Sequence, residues 1–203
     1  MRRIGVVLPA LLLGALPATG QDQDDWSFSV AAYTYFVPED ENYVQPAFAA
    51  DHGRLHLGAR YNYEARDSGS VWGGANFSGG EKLEWEITPM LGAVFGDLTG
   101  VAPGYQGSLA WRKLELYSEG EYVFDTGESS ESYFYNWSEL TFAPAEWFRF
   151  GLVTQRTRVY ESDRDIERGL LVAFTYKKLD AAVYVFDPDD EDSTVVAALS
   201  FDF

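Results

Sequence analysis

Thr194-Val195-Val196-Ala197-Ala198-Leu199-Ser200-Phe201-Asp202-Phe203 is the stretch whose reading decides the fold. Extended, it puts Val195, Ala197, Leu199, Phe201 and Phe203 on one face, with Thr194, Ala198, Ser200 and Asp202 on the other. The same period of two recurs upstream. Residues 54–64 set Leu55, Leu57, Ala59, Tyr61 and Tyr63 against Arg54, His56, Gly58, Arg60, Asn62 and Glu64. Residues 82–91 set Leu83, Trp85, Ile87 and Leu91 against Lys82, Glu84, Glu86 and Thr88. Further on, Leu114, Leu116, Tyr122 and Phe124 oppose Lys113, Glu115, Tyr117, Glu119 and Glu121. Each strand therefore has one wet and one greasy face.

Twelve strands are predicted this way, near 26–37, 43–50, 54–65, 70–78, 82–95, 99–110, 113–125, 132–143, 147–160, 166–177, 180–187 and 193–203. The spacing of about 15 residues per strand and turn suits tilted strands of ~9–11 residues that cross a bilayer. The turns sort into two populations. Residues 38–42, 66–69, 96–98, 125–131, 161–168 and 187–192 are crowded with carboxylates, about 17 acidic against 3 basic on these boundaries. The alternate turns, 51–54, 79–82, 112–113, 144–146 and 177–180, are shorter and carry about 4 acidic and 6 basic residues. An outer and a periplasmic rim would produce this division; a soluble sandwich gives no reason for it.

The first twenty residues read as a secretory signal peptide. Arg2 and Arg3 precede an apolar run from Ile4 to Leu16, and Ala18-Thr19-Gly20 places small residues before Gln21. That run is too short to span a bilayer, and no later segment reaches the ~18 apolar residues of a membrane helix. The expected organisation is 1–20 signal peptide and 21–203 a single domain. The 203-residue chain has no cysteine, which removes thiol chemistry and thiolate metal sites. Its 6 Trp, 13 Tyr and 14 Phe are material for interfacial girdles. The net charge of −17 excludes nucleic acid as a partner, because phosphate binding needs the opposite sign.

Some residues resist the pattern. Pro46, Pro89 and Pro103 fall inside predicted strands, where every backbone donor is needed, so bulges or rim positions are required there. Alternatively part of 89–104, rich in glycine, folds inward and leaves ten strands. Asn136 and Ser138 share a face with Phe134, Leu140 and Phe142, which blurs the alternation of their strand.

The wet faces pool into a charged interior. Predicted lumen-lining residues are Arg54, His56, Arg60, Glu64, Lys82, Glu84, Glu86, Glu115, Glu119, Glu121, Glu139 and Arg149. A water-filled lumen would use such charges to select solutes by sign. A closed one would lock them into ion pairs. Twelve strands lie between filled eight-stranded barrels and open sixteen-stranded porins, so both readings stand. A lipid hydrolase would need a histidine beside a nucleophile at the outer leaflet. The only histidines, His52 and His56, fall at the opposite rim, and Asp51-His52-Gly53 reads as a hairpin turn. The sequence thus points away from enzymatic activity.

No cofactor is expected. The one weak divalent-cation candidate is Asp187, Asp189, Asp190, Glu191 and Asp192, with Glu39-Asp40-Glu41 on the neighbouring hairpin. Oxygen clusters of this kind suit Ca²⁺ or Mg²⁺, but the spacing is not that of an EF-hand, and nonspecific bridging to lipopolysaccharide phosphates is the simpler use. Arg156 and Arg158 share the parity of Phe148, Phe150 and Leu152, which favours an outward position gripping lipid phosphates; turned inward by a bulge, they would pair with Glu139 or Glu167 instead. Asn136-Trp137-Ser138 matches a glycosylation sequon by coincidence.

The signal peptide, the alternating strands and the terminal Leu199-Ser200-Phe201-Asp202-Phe203 resemble Gram-negative outer-membrane β-barrel proteins. That resemblance implies an all-β, antiparallel up-and-down transmembrane barrel. It also implies that Leu199, Phe201 and Phe203 form the closing signal read by the barrel-assembly machinery, with outer-membrane lipid and lipopolysaccharide as surroundings. Gly-Arg-Leu-His-Leu (53–57), Ala-Arg-Tyr-Asn-Tyr-Glu (59–64) and Ala-Pro-Gly-Tyr (102–105) are similar to an uncharacterised bacterial group with no assigned activity. Small twelve-stranded barrels include nucleoside and acidic-oligosaccharide channels and a phospholipase. An interior richer in Glu than Arg resembles the anionic-sugar channels poorly, since those need basic lumens. The expectation is a narrow passive channel for small cationic or neutral solutes, with a closed barrel acting through acidic outer loops as the alternative.

Overall fold

The computed structural model describes residues 25–38, 40–127, 132–159, 165–190 and 192–203, with the side chains of 157–159 and 165 left aside. The proposed signal peptide, Glu39, Glu191 and the side chain of Arg158 lie outside what is described. Among the described residues, thirteen strand segments run in order: β1 (Trp26–Phe36), β2 (Tyr43–His52), β3 (Leu55–Tyr61), β4 (Ser68–Ala75), β5 (Phe77–Gly79), β6 (Glu84–Gly96) and β7 (Gly100–Trp111). Then come β8 (Leu114–Asp125), β9 (Tyr133–Ala145), β10 (Phe148–Val159), β11 (Asp165–Tyr176), β12 (Leu179–Phe186) and β13 (Thr194–Asp202). Neighbours pair antiparallel throughout, and β13 returns to β1. β4 and β5 lie end to end along β6 and form one stave, so the sheet closes as a barrel of twelve staves. The segment 89–104 stays in the wall, paired from Glu84↔Ala110 to Val94↔Gly100, which rules out the ten-stave alternative.

Hairpin geometry tells the two rims apart. At one end, 53–54, 112–113, 146–147 and 177–178 are two-residue turns between directly paired strand ends, and both chain termini lie at this same end. Gly53, Arg112 and Lys177 adopt the left-handed conformation that such tight turns demand. Short turns belong to the periplasmic rim of a membrane barrel and longer loops to the outer rim.

Each awkward proline sits at a break in one ladder. The β2–β3 ladder stops at Ala47↔Arg60, one residue short of Pro46. Pro89 stands opposite the interruption between β4 and β5 at Asn76. Pro103 falls in the gap of the β7–β8 ladder between Val101↔Phe124 and Gly104↔Glu121. A proline has no N–H to give, so the neighbouring strand lets go at that point while the other side of the stave stays paired.

The outer wall is apolar. Leu91 and Leu152 are 58% and 57% exposed, and Val71, Leu116, Leu140, Leu170, Val183 and Leu199 continue the belt around the barrel. Trp26, Trp85, Trp111, Trp147, Phe174 and Tyr176 crowd the periplasmic edge; Phe36, Tyr61, Phe95 and Phe124 mark the outer one. An apolar band between aromatic girdles is the surface of a membrane-spanning barrel. Asn136 and Ser138 do face outward, but they bond each other and their neighbours. The Asn136 amide donates to Tyr105 Oη at 3.1 Å, Ser118 Oγ at 3.1 Å and the Glu119 carbonyl at 2.8 Å, and Ser138 Oγ donates to Asn136 Oδ1 at 3.2 Å. A self-satisfied cluster can be tolerated where isolated polar groups would not be.

Predicted strand 54–65 ends early. Its ladder stops at Tyr61, and Tyr63, expected on the greasy outer face, is buried at 2% exposure inside the barrel. Asn62 and Asp67, both at φ 56°, make the bends that turn the intervening chain inward. Asn and Asp are the non-glycine residues that take this conformation most readily.

Candidate functional site

The inward faces of the twelve staves meet in the middle of the lumen. Tyr33 and Tyr35 of β1, Gln45 of β2, Glu119 of β8, Tyr135, Trp137 and Glu139 of β9 and Tyr184 of β12 are each at most 1% exposed. Trp137 packs edge-on to Tyr184 and Phe186, with ring centroids 5.3 Å away in both pairs. The indole N–H of Trp137 donates to Glu139 at 2.8 Å. Filled to this density, the mid-lumen excludes water in this conformation.

Toward the outer rim lies a denser cluster. The Arg60 guanidinium is sandwiched between Tyr63, 4.2 Å from its ring centroid, and Trp72, 4.7 Å away. It donates to Glu121 at 3.3 Å. Tyr63 and Tyr117 both donate their hydroxyls to Glu119, Tyr117 at 2.9 Å. The Trp72 indole N–H is shared between Ser70 Oγ at 2.9 Å and Glu64 at 3.3 Å. A void of about 10 Å³ beside Arg60, lined by Ala49, His56, Gly58, Trp72 and Gln106 among others, has room for hardly one water.

Trp72 owes its place to two glycines on other staves. A Cβ at Gly92 would stand 2.6 Å from the indole, and one at Gly104 would stand 3.2 Å from it. Gly92→Ala is therefore expected to displace Trp72 and cost about 1–3 kcal/mol in urea unfolding of the folded barrel. Gly73→Ala, whose added methyl would meet nothing within 4 Å, is the near-neutral control.

The periplasmic half is wetter. Arg149 makes a forked pair with Asp180 at 2.5 and 2.8 Å, and Thr175 Oγ1 donates to the same carboxylate at 2.7 Å. His56 Nδ1 meets Asp51 at 2.8 Å, and Asn76 donates to the same oxygen at 2.6 Å. Glu86 and Glu115 are half-buried nearby. His52 packs against Trp26 at the periplasmic edge.

Placement of the predicted lumen residues is uneven. His56, Arg60, Glu119, Glu121 and Glu139 are buried inside, and Glu86, Glu115 and Arg149 line the periplasmic half. Glu64 is also inside, but on the inward-turned segment and not on the wall of its strand. Arg54 and Lys82 leave the lumen, and Glu84 stands only at its mouth. Arg54 is exposed in the 53–54 turn with its guanidinium over the outward Phe77 ring, because the strand begins only at Leu55. Lys82 is exposed in the 80–83 turn, off the wall, whereas Glu84 opens β6 on the inward face of Glu86 but is exposed at the periplasmic mouth and not enclosed in the lumen. Tyr33, Tyr35, Tyr63, Trp72, Tyr135, Trp137 and Tyr184 were not anticipated as luminal. Parity with Glu139 was the available signal for Tyr135 and Trp137.

At the outer rim, Asp187 Oδ1 accepts the Arg168 N–H at 3.1 Å, and Ser193 Oγ donates to the carbonyls of Asp187 and Asp190 at 2.9 and 3.0 Å. Asp189, Asp190 and Asp192 are exposed, and among the described residues no three carboxylates or histidines are placed to share a metal ion. Asp40 pairs with Arg66 of the next loop at 3.0 Å. The Glu41 N–H, together with that guanidinium, holds the Asp40 carboxyl below its ordinary value. Arg156 lies along the outer wall over Phe134, 5.8 Å from its ring centroid.

No family model and no curated protein matches the sequence. Solved structures do. A KdgM porin matches with a TM-score of 0.63 at 11% identity, over 86% of this chain and 99% of that one. A KdgM porin in complex with disordered oligogalacturonate matches with a TM-score of 0.62 at 10% identity, over the same shares of the two chains. The chain has the fold of a porin-type outer-membrane β-barrel.

Proposed function

We propose that this protein is a narrow outer-membrane channel for small cationic or neutral solutes, exported by residues 1–20 and closed in the conformation described above. The observation that carries the reading is the sign of the inward wall. Asp51, Glu86, Glu115, Glu119, Glu121, Glu139, Asp180 and Asp202 face the lumen, against Arg60 and Arg149. Field lines focused by such a wall favour cations and oppose anions. One similar porin was solved with oligogalacturonate, an anionic sugar chain, and a net-negative lumen is the wrong lining for that solute. Passage needs no catalytic step, and none is assigned to His52 or His56. The acidic outer loops would bind Ca²⁺ or Mg²⁺ loosely and bridge to lipopolysaccharide.

A second reading is favoured by the filled mid-lumen: a permanently closed barrel that acts through its acidic outer loops. Conductance of refolded 21–203 in a planar bilayer under a KCl gradient separates the two. Discrete openings with a cation-selective reversal potential are expected, and Glu119→Gln should reduce that selectivity. Folded, inserted protein that stays silent at every voltage would overturn the channel and leave the closed barrel.

A further inference from the structure

Residues 62–65 leave the wall and reach across the lumen. Tyr63 donates its hydroxyl to Glu119 on β8, and Tyr133 of β9 donates to the Glu64 carbonyl at 2.7 Å. β8 and β9 stand four and five staves around the barrel from β3, so these bonds tie nearly opposite walls together. The edge-on contact of Tyr63 with Tyr135, 6.0 Å between centroids, seals the same gap.

Three features let this segment move as a unit. Beyond Asn62 it makes no backbone bond to a neighbouring strand, because the β2–β3 ladder ends at Arg60 and the β3–β4 ladder at Tyr61↔Gly69, with the Asn62 N–H its last tie. Its two bends, Asn62 and Asp67, are fastened at the wall: Asn62 N–H to the Ser68 carbonyl at 2.8 Å, Asn62 Nδ2 to the Val44 carbonyl at 3.1 Å and Asp67 N–H to Asn62 Oδ1 at 2.9 Å. The cluster it covers is also unbalanced in charge. Glu64, Glu119 and Glu121 share one guanidinium, Arg60, so opening would hydrate carboxylates that the closed arrangement desolvates.

We propose that residues 62–65 are a latch that closes the outer half of the lumen, held shut by the Tyr63–Glu119 and Tyr133–Glu64 hydrogen bonds. The proposal rests on the channel reading for its purpose, but it makes a claim about motion that can be read without any current. Two states separated by a few hydrogen bonds exchange readily, and each bond removed shifts the balance toward the open one.

The chain has no cysteine, so a single Ser70→Cys supplies a unique reporter. Ser70 is 1% exposed and shares the Trp72 indole N–H with Glu64. The test measures its reaction with a charged methanethiosulfonate reagent on the folded barrel. With the latch intact, labelling should be slow. Adding Tyr63→Phe and Tyr133→Phe should speed it by about tenfold or more, each hydroxyl bond contributing a few-fold to tenfold. If the double variant does not fold, Tyr133→Phe alone should still give about threefold. Unchanged labelling in a folded variant overturns the latch, as does a parent that labels as fast as the unfolded chain. Conductance of the same proteins is scored separately. Faster labelling with bilayer silence keeps the latch and removes the channel; current without faster labelling does the reverse.

Discussion

Arg60→Met is expected to cost about 3–5 kcal/mol of stability, the usual penalty for removing one partner of a buried ion pair. The side chains of Arg60 and Glu121 are only 4% and 2% exposed. Removing the guanidinium leaves Glu121 without its salt bridge and Glu64 and Glu119 without their nearest cation. It also empties the slot between the Tyr63 and Trp72 rings, which methionine fills only in part. The readout is the urea midpoint of the folded barrel, followed by the shift in gel mobility on heating. Arg60→Met combined with Glu121→Gln should recover a substantial part of the loss, since the orphaned charge is then gone. A single variant within about 1 kcal/mol of the parent would mean that water already hydrates these carboxylates. The cluster around Arg60 would then be hydrated in the folded barrel.

Deleting Phe201–Phe203 is expected to abolish the folded barrel in refolding experiments. The β1–β13 seam joins the two ends of the chain, pairing Ser29↔Asp202 through Phe36↔Val195. It is completed by two backbone bonds, Phe28 N–H to the Phe203 carbonyl at 3.0 Å and Phe203 N–H to the Phe28 carbonyl at 2.9 Å. The Asp202 N–H bonds the Lys178 carbonyl at 3.0 Å on the other side. Truncation would strip these bonds from both neighbouring strands and open the seam from its periplasmic end, and every group left unpaired at membrane depth costs several kcal/mol. Phe203→Ala keeps every one of these bonds and gives up only ring contacts, with Phe28 at 5.6 Å and Phe201 at 6.0 Å, so about 1–2 kcal/mol is expected. Refolding without any assembly machinery isolates this physical role. If Phe203→Ala refolds normally but fails to assemble in cells, the terminal ring acts as a recognition signal.

The wall of the barrel was largely legible in the sequence because its physics is local. Alternation with period two is imposed by the pleat, and lipid on one side with protein on the other rewards opposite chemistry at successive positions. Pro46, Pro89 and Pro103 looked like objections for the same local reason. Each was resolved by a break in a ladder to a strand distant in sequence, which period counting cannot see.

The interior was less legible. Glu119 and Glu121 announce themselves by parity, and Tyr117 shares their face. Parity fails where the strand stops: Tyr63 continues the greasy face of residues 55–61 on paper, yet the bends at Asn62 and Asp67 send it across the lumen. Aromatic residues carry the same ambiguity, since the ring that suits a membrane girdle in Trp147 also fills a lumen in Trp137. By itself the sequence determined a membrane barrel with an acidic interior and acidic outer loops, because those follow from residue type and spacing along each strand; twelve staves over ten was decided by the pairing of 89–104. Whether that interior stands open or shut was decided by the tertiary structure alone. Closure depends on which side chains from staves far apart in sequence meet at the barrel axis, and only the closed sheet brings Arg60, Tyr63, Trp72, Glu119 and Tyr135 to one place.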